Sequence, residues 1–254
     1  MSIYKIVFSP TGGTDKAAQC LAEEPGQEIK TVDLTDADAD FTSVSLSEGD
    51  ICVAAAPSFG GRVPKTAAER PEKIKGGTAA AIAVAVYGNR AYDDTLPELK
   101  NILKGCGFRC TAAVAAVAEH SIIHKFAAGR PDKKDMDQIK EFARRIRRKI
   151  EENGAAEDVS VPGGTPYVAY GGVPLKLSAK KGCTGCGLYA EKCPVKAIPP
   201  QNPAMTDGKK CVSCMRCVAV CPMGARKVGG VLTFLAEAKM KKSCSSPKKN
   251  ELFI

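Results

Sequence analysis

Two short cysteine runs in the last third of the chain limit what it can fold into. The second, CVSCMRCVAVCP over residues 211–222, is a complete C-x2-C-x2-C-x3-C-P pattern. The first, CTGCGLYAEKCP over residues 183–194, is the same run with Tyr189 in place of the third cysteine. A shift of 28 residues lays Cys183 on Cys211, Cys186 on Cys214, Tyr189 on Cys217, Cys193 on Cys221 and Pro194 on Pro222. An internal repeat of this kind signals two copies of one small unit packed together. The spacing is that of an iron–sulfur cluster. Zinc needs four ligands closing one tetrahedron, and two separate runs each ending in Cys-Pro do not offer that pattern.

At 254 residues the chain is long enough for one domain or two. Apolar content is ordinary for a soluble protein, and no apolar run reaches the roughly 18 residues of a membrane span. The first residues enter a strand pattern at once, without a signal-peptide layout. A cytoplasmic location is therefore expected, where 12 cysteines are ligands or free thiols rather than disulfides. Charge divides the chain: residues 1–160 carry 22 Lys/Arg against 24 Asp/Glu, and residues 161–254 carry 15 against 4. Part of this basic excess offsets cluster charge, since an oxidised 4Fe–4S cluster on four thiolates carries about −2. The remainder suits acidic redox partner proteins, through faster encounter. Nucleic acid is the weaker partner class, because no basic groove is interleaved with aromatics and Trp is absent.

From the N-terminus, Ile3–Phe8 reads as a buried strand. It stops at Ser9-Pro10-Thr11-Gly12-Gly13-Thr14, and a helix follows to about Glu24. Free N–H groups at a helix start, glycines and hydroxyls together make an anion site, though a plain glycine turn capping a helix reads the same way. No Gly-Lys-Ser/Thr ending supports a nucleotide P-loop, and GxGxxG is absent. Further strands are expected at 28–34, 50–56, 78–86 and 109–118, with helices at 64–75, 93–104 and 131–153. Strand three is continuously apolar, as a strand covered on both faces should be. Five strands alternating with helices predict a doubly wound α/β domain. Two more loops follow strand ends: Pro57-Ser58-Phe59-Gly60-Gly61-Arg62-Val63-Pro64 and Tyr87-Gly88-Asn89-Arg90-Ala91-Tyr92-Asp93-Asp94. In open α/β sheets ligands bind at the carboxyl ends of strands. Each of these loops sets an aromatic beside a glycine, suited to a flat ring.

On these residues the N-terminal part resembles flavodoxin, and the whole chain resembles the fused flavodoxin–ferredoxin iron–sulfur flavoproteins of anaerobic bacteria. The resemblance implies a flavodoxin-like, five-stranded parallel sheet plus a small α+β bacterial ferredoxin-type domain. It implies FMN, with its phosphate on Ser9, Thr11, Gly12, Gly13 and Thr14. Phe59 and Tyr87 would contact the two sides of the flavin ring, within loops that include Pro57, Ser58, Gly88, Arg90, Ala91 and Tyr92. Gly60-Gly61 would supply the peptide near flavin N5, which a residue pair without Cβ can reverse. Asn89 and Asp93 would hold the polar edge of the ring.

In two-cluster ferredoxins the fourth cysteine of each run ligates the other cluster. One 4Fe–4S cluster then takes Cys211, Cys214, Cys217 and Cys193. The other takes Cys183, Cys186 and Cys221, with Tyr189 at the vacant corner. That site is open to a 3Fe–4S cluster, a labile 4Fe–4S cluster, or nothing. Tyr189 itself is a harder ligand than thiolate. Cys20, Cys52, Cys106 and Cys110 read as small hydrophobes, and Cys244 as a thiol of a polar tail. His120 and His124 have the spacing of a helical metal pair, but no third ligand stands near, so a structural role is expected. The layout is a flavin domain at 1–155, a linker at 156–172, an iron–sulfur domain at 173–235, and a mobile basic tail at 236–254. Of the linker, Tyr167–Tyr170 is expected to pack on the iron–sulfur domain. The predicted function is electron transfer between the clusters and FMN and on to redox partners. An FMN-dependent reductase of a quinone or nitro compound, fed by the clusters, remains open. So does a ferredoxin-type docking module with a structural cluster.

Overall fold

A computed structural model describes residues 1–23, 27–155, 158–172, 177–179 and 182–254. The N-terminal domain runs β1 (Ile3–Val7), α1 (Gly13–Ala22), β2 (Ile29–Asp33), β3 (Ile51–Pro57), α2 (Lys65–Glu69), β4 (Ala80–Tyr87), α3 (Thr95–Gly105), β5 (Arg109–Val117) and α4 (Lys133–Asn153). The helix expected over 64–75 is split, because Pro71 opens a separate 3-10 turn after α2; proline has no N–H to continue the ladder. The five strands are parallel in the order β2-β1-β3-β4-β5. This is the flavodoxin-like doubly wound order, with its switch point between β1 and β3.

β3, β4 and β5 are buried on both faces apart from their ends. One face packs Phe8, Leu96, Leu103 and Phe108 around α3. The other packs Leu21, Ile139, Phe142 and Ile146 from α1 and α4 against Ile3, Val53 and Val114. α4 starts in a reciprocal capping box between Asp132 and Asp135. From its polar face Arg147 donates to the carbonyls of Leu21 (3.4 Å), Ala22 (3.5 Å) and Glu23, where α1 ends. The cation thus meets the negative end of the α1 dipole.

The cysteine unit contains β6 (Leu177–Ala179), α5 (Leu188–Glu191), α6 (Arg216–Ala219) and β7 (Arg226–Val228), with β6 antiparallel to β7. Its two halves share backbone as well as sequence. Left-handed residues occur at Gly185 and Ser213, at Gly187 and Met215, and at Lys196 and Gly224. Each pair keeps the 28-residue offset of the repeat. Both Cys-Pro cysteines also accept an N–H from four residues on, Ala197 to Cys193 and Ala225 to Cys221, each at 3.3 Å.

The tail is not loose, contrary to the expectation from its polar composition. α7 (Gly230–Cys244) and β8 (Glu251–Phe253) follow the cysteine unit, and β8 adds to the outer edge of β5 as an antiparallel sixth strand. Asn250 accepts from Val117 N at 2.8 Å and donates to Asp135 (3.0 Å) and Gln138 (2.9 Å). Cys244 is accordingly buried rather than exposed. The segment through Tyr167 and Tyr170 also departs from expectation: it packs on the sheet domain, not on the cysteine unit. Asp94 accepts from Gly164 N (3.0 Å) and Val168 N (2.6 Å), while the Arg62 guanidinium lies 4.8 Å from the Tyr167 ring. Among the described residues no helix is long and apolar enough to cross a membrane.

Candidate functional site: a cleft beside the cysteine unit

The carboxyl ends of β1, β3, β4 and β5 open into one cleft that is partly open to solvent. Its floor is the first turn of α1. Gly12 caps this helix with φ of +91° and no side-chain cap, a conformation that costs a Cβ-bearing residue about 1 kcal/mol or more. Ser9 Oγ takes the N–H of Asp15 at 2.9 Å, and Lys16 N closes the first helical bond to Gly12 O at 3.1 Å. The N–H groups of Gly13 and Thr14 have no acceptor among the described residues. Thr11, Gly13 and Thr14 line the cleft; Ser9 and Gly12 shape the turn beneath it.

The loop after β3 is a tight hairpin. Phe59 N donates to Arg62 O at 2.9 Å and Arg62 N to Phe59 O at 3.2 Å, with φ of +61° at Gly60 and +87° at Gly61. Two consecutive positive φ values are the type I′ signature, which glycine meets without strain. Close neighbours also require glycine here. A Cβ on Gly60 would stand 2.7 Å from the Tyr170 ring, and one on Gly61 would enter Asp93. Arg62 anchors the loop through a bidentate pair with Glu98, at 2.8 and 2.7 Å. Pro57, Ser58, Phe59 and Gly60 line the cleft, and Ser58 Oγ accepts from Thr95 Oγ1 at 2.8 Å.

The loop after β4 divides its labour. Tyr87 and Gly88 line the cleft. Burial pushes the Tyr87 phenol up to about 12, and its O–H donates to Lys249 O at 3.0 Å. Asn89 is buried and faces the tail, donating to Cys244 O (2.8 Å) and Ser246 O (3.1 Å) and accepting from Lys248 N (3.0 Å). Arg90 pairs with Asp93, Tyr92 pairs with Glu251 and stacks edge-on to Tyr87 at 5.2 Å, and Ala91 is half-buried between them. These four residues and Asn89 therefore support the loop from behind, where a ring-edge role had been expected for Asn89 and Asp93.

Sequence reasoning missed the fourth wall. Ala118, Glu119, His120, Ser121 and Ile122 follow β5 and line the cleft. His120 Nδ1 accepts from Ile122 N (3.2 Å) and Ile123 N (3.1 Å), so the proton sits on Nε2. Burial, then the His124 charge, lowers its pKa to about 4, and the ring is neutral at ordinary pH. His124 instead pairs with Glu119 at 2.6 Å. The two histidines take different partners, and His120, expected to play a structural role, lines the cleft. The glycine at 88 was its only sequence signal, since a Cβ there would lie 2.6 Å from the His120 ring.

The cleft is closed on its last side by Ser213 and Cys214 of the second cysteine run. Three further contacts seat that unit on the sheet domain. Arg216 reaches Ser9 O at 3.4 Å, Arg70 reaches Pro194 O at 2.6 Å, and Lys196 pairs with Asp38. Within the unit, Cys214 is buried and pushed up to about 12, by desolvation and then by the neighbouring Cys193, Cys217 and Cys211. Cys217 rises to about 11 for similar reasons, against the pull of Arg226. Those four thiols therefore lie within electrostatic reach of one another. Cys183 and Cys221 interact in turn, with Tyr189 Oη 2.7 Å from Cys183 Sγ. All 12 cysteines are free thiols in this structure. Among the described residues, no three His, Cys, Asp or Glu side chains converge on one metal ion. A cluster, in which each iron takes its own thiolate, requires ligands spread around a cage instead.

A doubly wound α/β sheet and a cysteine unit of 4Fe–4S spacing share one cleft. A family profile described as a 4Fe-4S binding domain matches residues 205–227. Solved structures similar to this chain include a flavodoxin of Streptococcus pneumoniae at 18% identity, TM-score 0.42, covering 58% of this chain and 99% of that one. Flavodoxin 2 of Bacillus cereus follows at 13% identity and TM-score 0.43, covering 59% and 99%. An NADH:FMN oxidoreductase, solved in apo form, has 14% identity and TM-score 0.41, covering 58% and 89%. No curated protein matches the chain.

Proposed function

We propose that the cleft binds FMN and that Cys193, Cys211, Cys214 and Cys217 hold a 4Fe–4S cluster at its edge, joining the two in one electron-transfer unit. The observation that carries this reading is Cys214, which lines the same cleft as Thr14, Phe59 and Tyr87. The free N–H groups of Gly13 and Thr14 and the hydroxyls of Thr11 and Thr14 hold the phosphate at the positive end of α1. Phe59 and Tyr87 flank the ring. Ser9, Gly12, Gly61, Asn89, Arg90, Ala91, Tyr92 and Asp93 hold the three loops in place. When bound, FMN stores one or two electrons and the cluster carries one. The basic C-terminal third draws acidic redox partner proteins. An anaerobic reductive titration followed by visible absorbance and EPR together tests this. Flavin and cluster signals should both respond, and Gly12→Val should lower FMN affinity at least tenfold. A chain that takes up no FMN would refute the reading.

His120 favours a second reading, an FMN-dependent reductase of a quinone or nitro compound. Its tautomer is fixed with N–H on Nε2 and its ring lies on the cleft wall, so it can hydrogen-bond a reducible oxygen there. Turnover of such acceptors faster than with free FMN, with kcat lowered in His120→Phe, supports it. Rates equal to free FMN exclude it.

A further inference from the structure

The two halves of the cysteine repeat differ at two matched positions that touch each other. Tyr189 stands where the second half has Cys217, and Arg226 stands where the first half has Ile198. Across the unit, the Arg226 guanidinium lies 4.6 Å from the Tyr189 ring centroid. Tyr189 is 2% exposed and Arg226 is 0% exposed.

Arg226 is a fully buried cation, and among the described residues it meets no carboxylate. Its acceptors are all neutral: Pro203 O at 2.5 Å, Met205 O at 2.8 Å, Leu177 O at 3.3 Å and Thr206 Oγ1. Its Nε is buried with no partner at all. A buried charge normally persists only where an opposite charge offsets its desolvation. The groups at the tip of Tyr189 are soft: Cys183 Sγ lies 2.7 Å from Tyr189 Oη, and both Cys221 and Arg226 lie within electrostatic reach of Cys183. An anion assembled on thiolates is the class that fits this chemistry.

We propose that Arg226 is the fixed counter-cation of an iron–sulfur cluster on Cys183, Cys186 and Cys221, with Tyr189 at the fourth corner. The inference rests on the ferredoxin-type reading of the cysteine unit and extends it to the altered half. Both exchanges shift local charge the same way, because a thiolate is lost and a guanidinium is gained. The guanidinium also acts on Cys217 of the twin cluster, but the thiolate is lost here alone, so the cluster here is easier to reduce than the one on Cys193, Cys211, Cys214 and Cys217. The substitution at Tyr189 is then a paired adjustment rather than a decayed ligand.

The test uses the full chain, reconstituted anaerobically with iron and sulfide, as wild type, Arg226→Lys, Arg226→Ile and the double variant Tyr189→Cys/Arg226→Ile. Iron and sulfide per chain, EPR and the midpoint potential of each signal are read. The wild type should carry roughly seven or eight irons, against about four for a single cluster, with the second signal reduced at the higher potential. Arg226→Ile should lose that iron, or move that signal to lower potential, while the cluster on Cys193, Cys211, Cys214 and Cys217 keeps its iron and shifts less, since Arg226 also acts on Cys217; Arg226→Lys should keep it. The double variant, which makes the first half match the second, should regain full iron. Unchanged iron and potential in Arg226→Ile would overturn the role of Arg226 and leave the cluster standing. Iron loss in the double variant would overturn it too, marking Arg226 as a structural pillar only. About four irons in the wild type itself would remove the second cluster, and the proposal with it.

Discussion

The sheet domain is built around two apolar layers, one on each face, that include Phe8, Leu96 and Leu103 on one side and Leu21, Ile139 and Ile146 on the other. The cysteine unit has one small buried cluster, in which Cys193 and Cys217 take places that Leu or Ile would fill elsewhere. Its regular elements are three or four residues long. Such a unit has too little apolar area to offset the entropy of ordering its loops. Under the proposed function, cluster ligands would supply stability as well as chemistry there, while the sheet rests on its apolar layers. The comparison sets two sources of fold stability side by side in one chain, one apolar and one expected to depend on metal.

The largest effect follows directly. Stripping iron with a chelator, or Cys214→Ala, should abolish amide-exchange protection over 183–228 while β3–β5 stay protected. Equal loss in both regions would break the contrast. Leu96→Ala, at a fully buried site in the core on α3, should cost about 3 kcal/mol of sheet stability while iron content is retained. Denaturant unfolding and iron analysis check the two halves of that claim. Next comes pH. Burial alone would raise the Asp135 carboxyl, but hydrogen bonds from Arg130, Asp132 N and Asn250, with the Arg130 charge, bring it down to about 2. A depressed carboxylate contributes fully above its ordinary value of 3.8 and loses that contribution as pH falls through 2. Asp135→Asn should therefore flatten the acid limb of the sheet's stability curve by about 2 kcal/mol. The smallest effect is Gly12→Ala, about 1 kcal/mol from the left-handed backbone, visible as a lowered Tm.

The five parallel strands were legible because β3, β4 and β5 are continuous apolar runs, and continuity marks a strand covered on both faces. The 4Fe–4S character of the second run was legible because ligand spacing is a local property. β8 was not, since Glu251-Leu252-Phe253 is too short for any period and follows lysines and serines. The cleft's fourth wall was hidden for another reason. His120 and Ser213 are brought there by chain crossings far apart in sequence, and only Gly88 hinted at a ring above it. Tyr170 was assigned to the wrong neighbour because a Gly-rich stretch says nothing about which surface it crosses.

The last strand has a kinetic consequence. α4 leads into the cysteine unit, and β8 returns from it to the sheet that α4 covers. The unit is thus an insertion looped out of the sheet domain and moored at both ends. Under the proposed function, electron traffic between cleft and cysteines would be unimolecular: its rate should not vary with protein concentration, and added salt should slow only the encounter with outside partners.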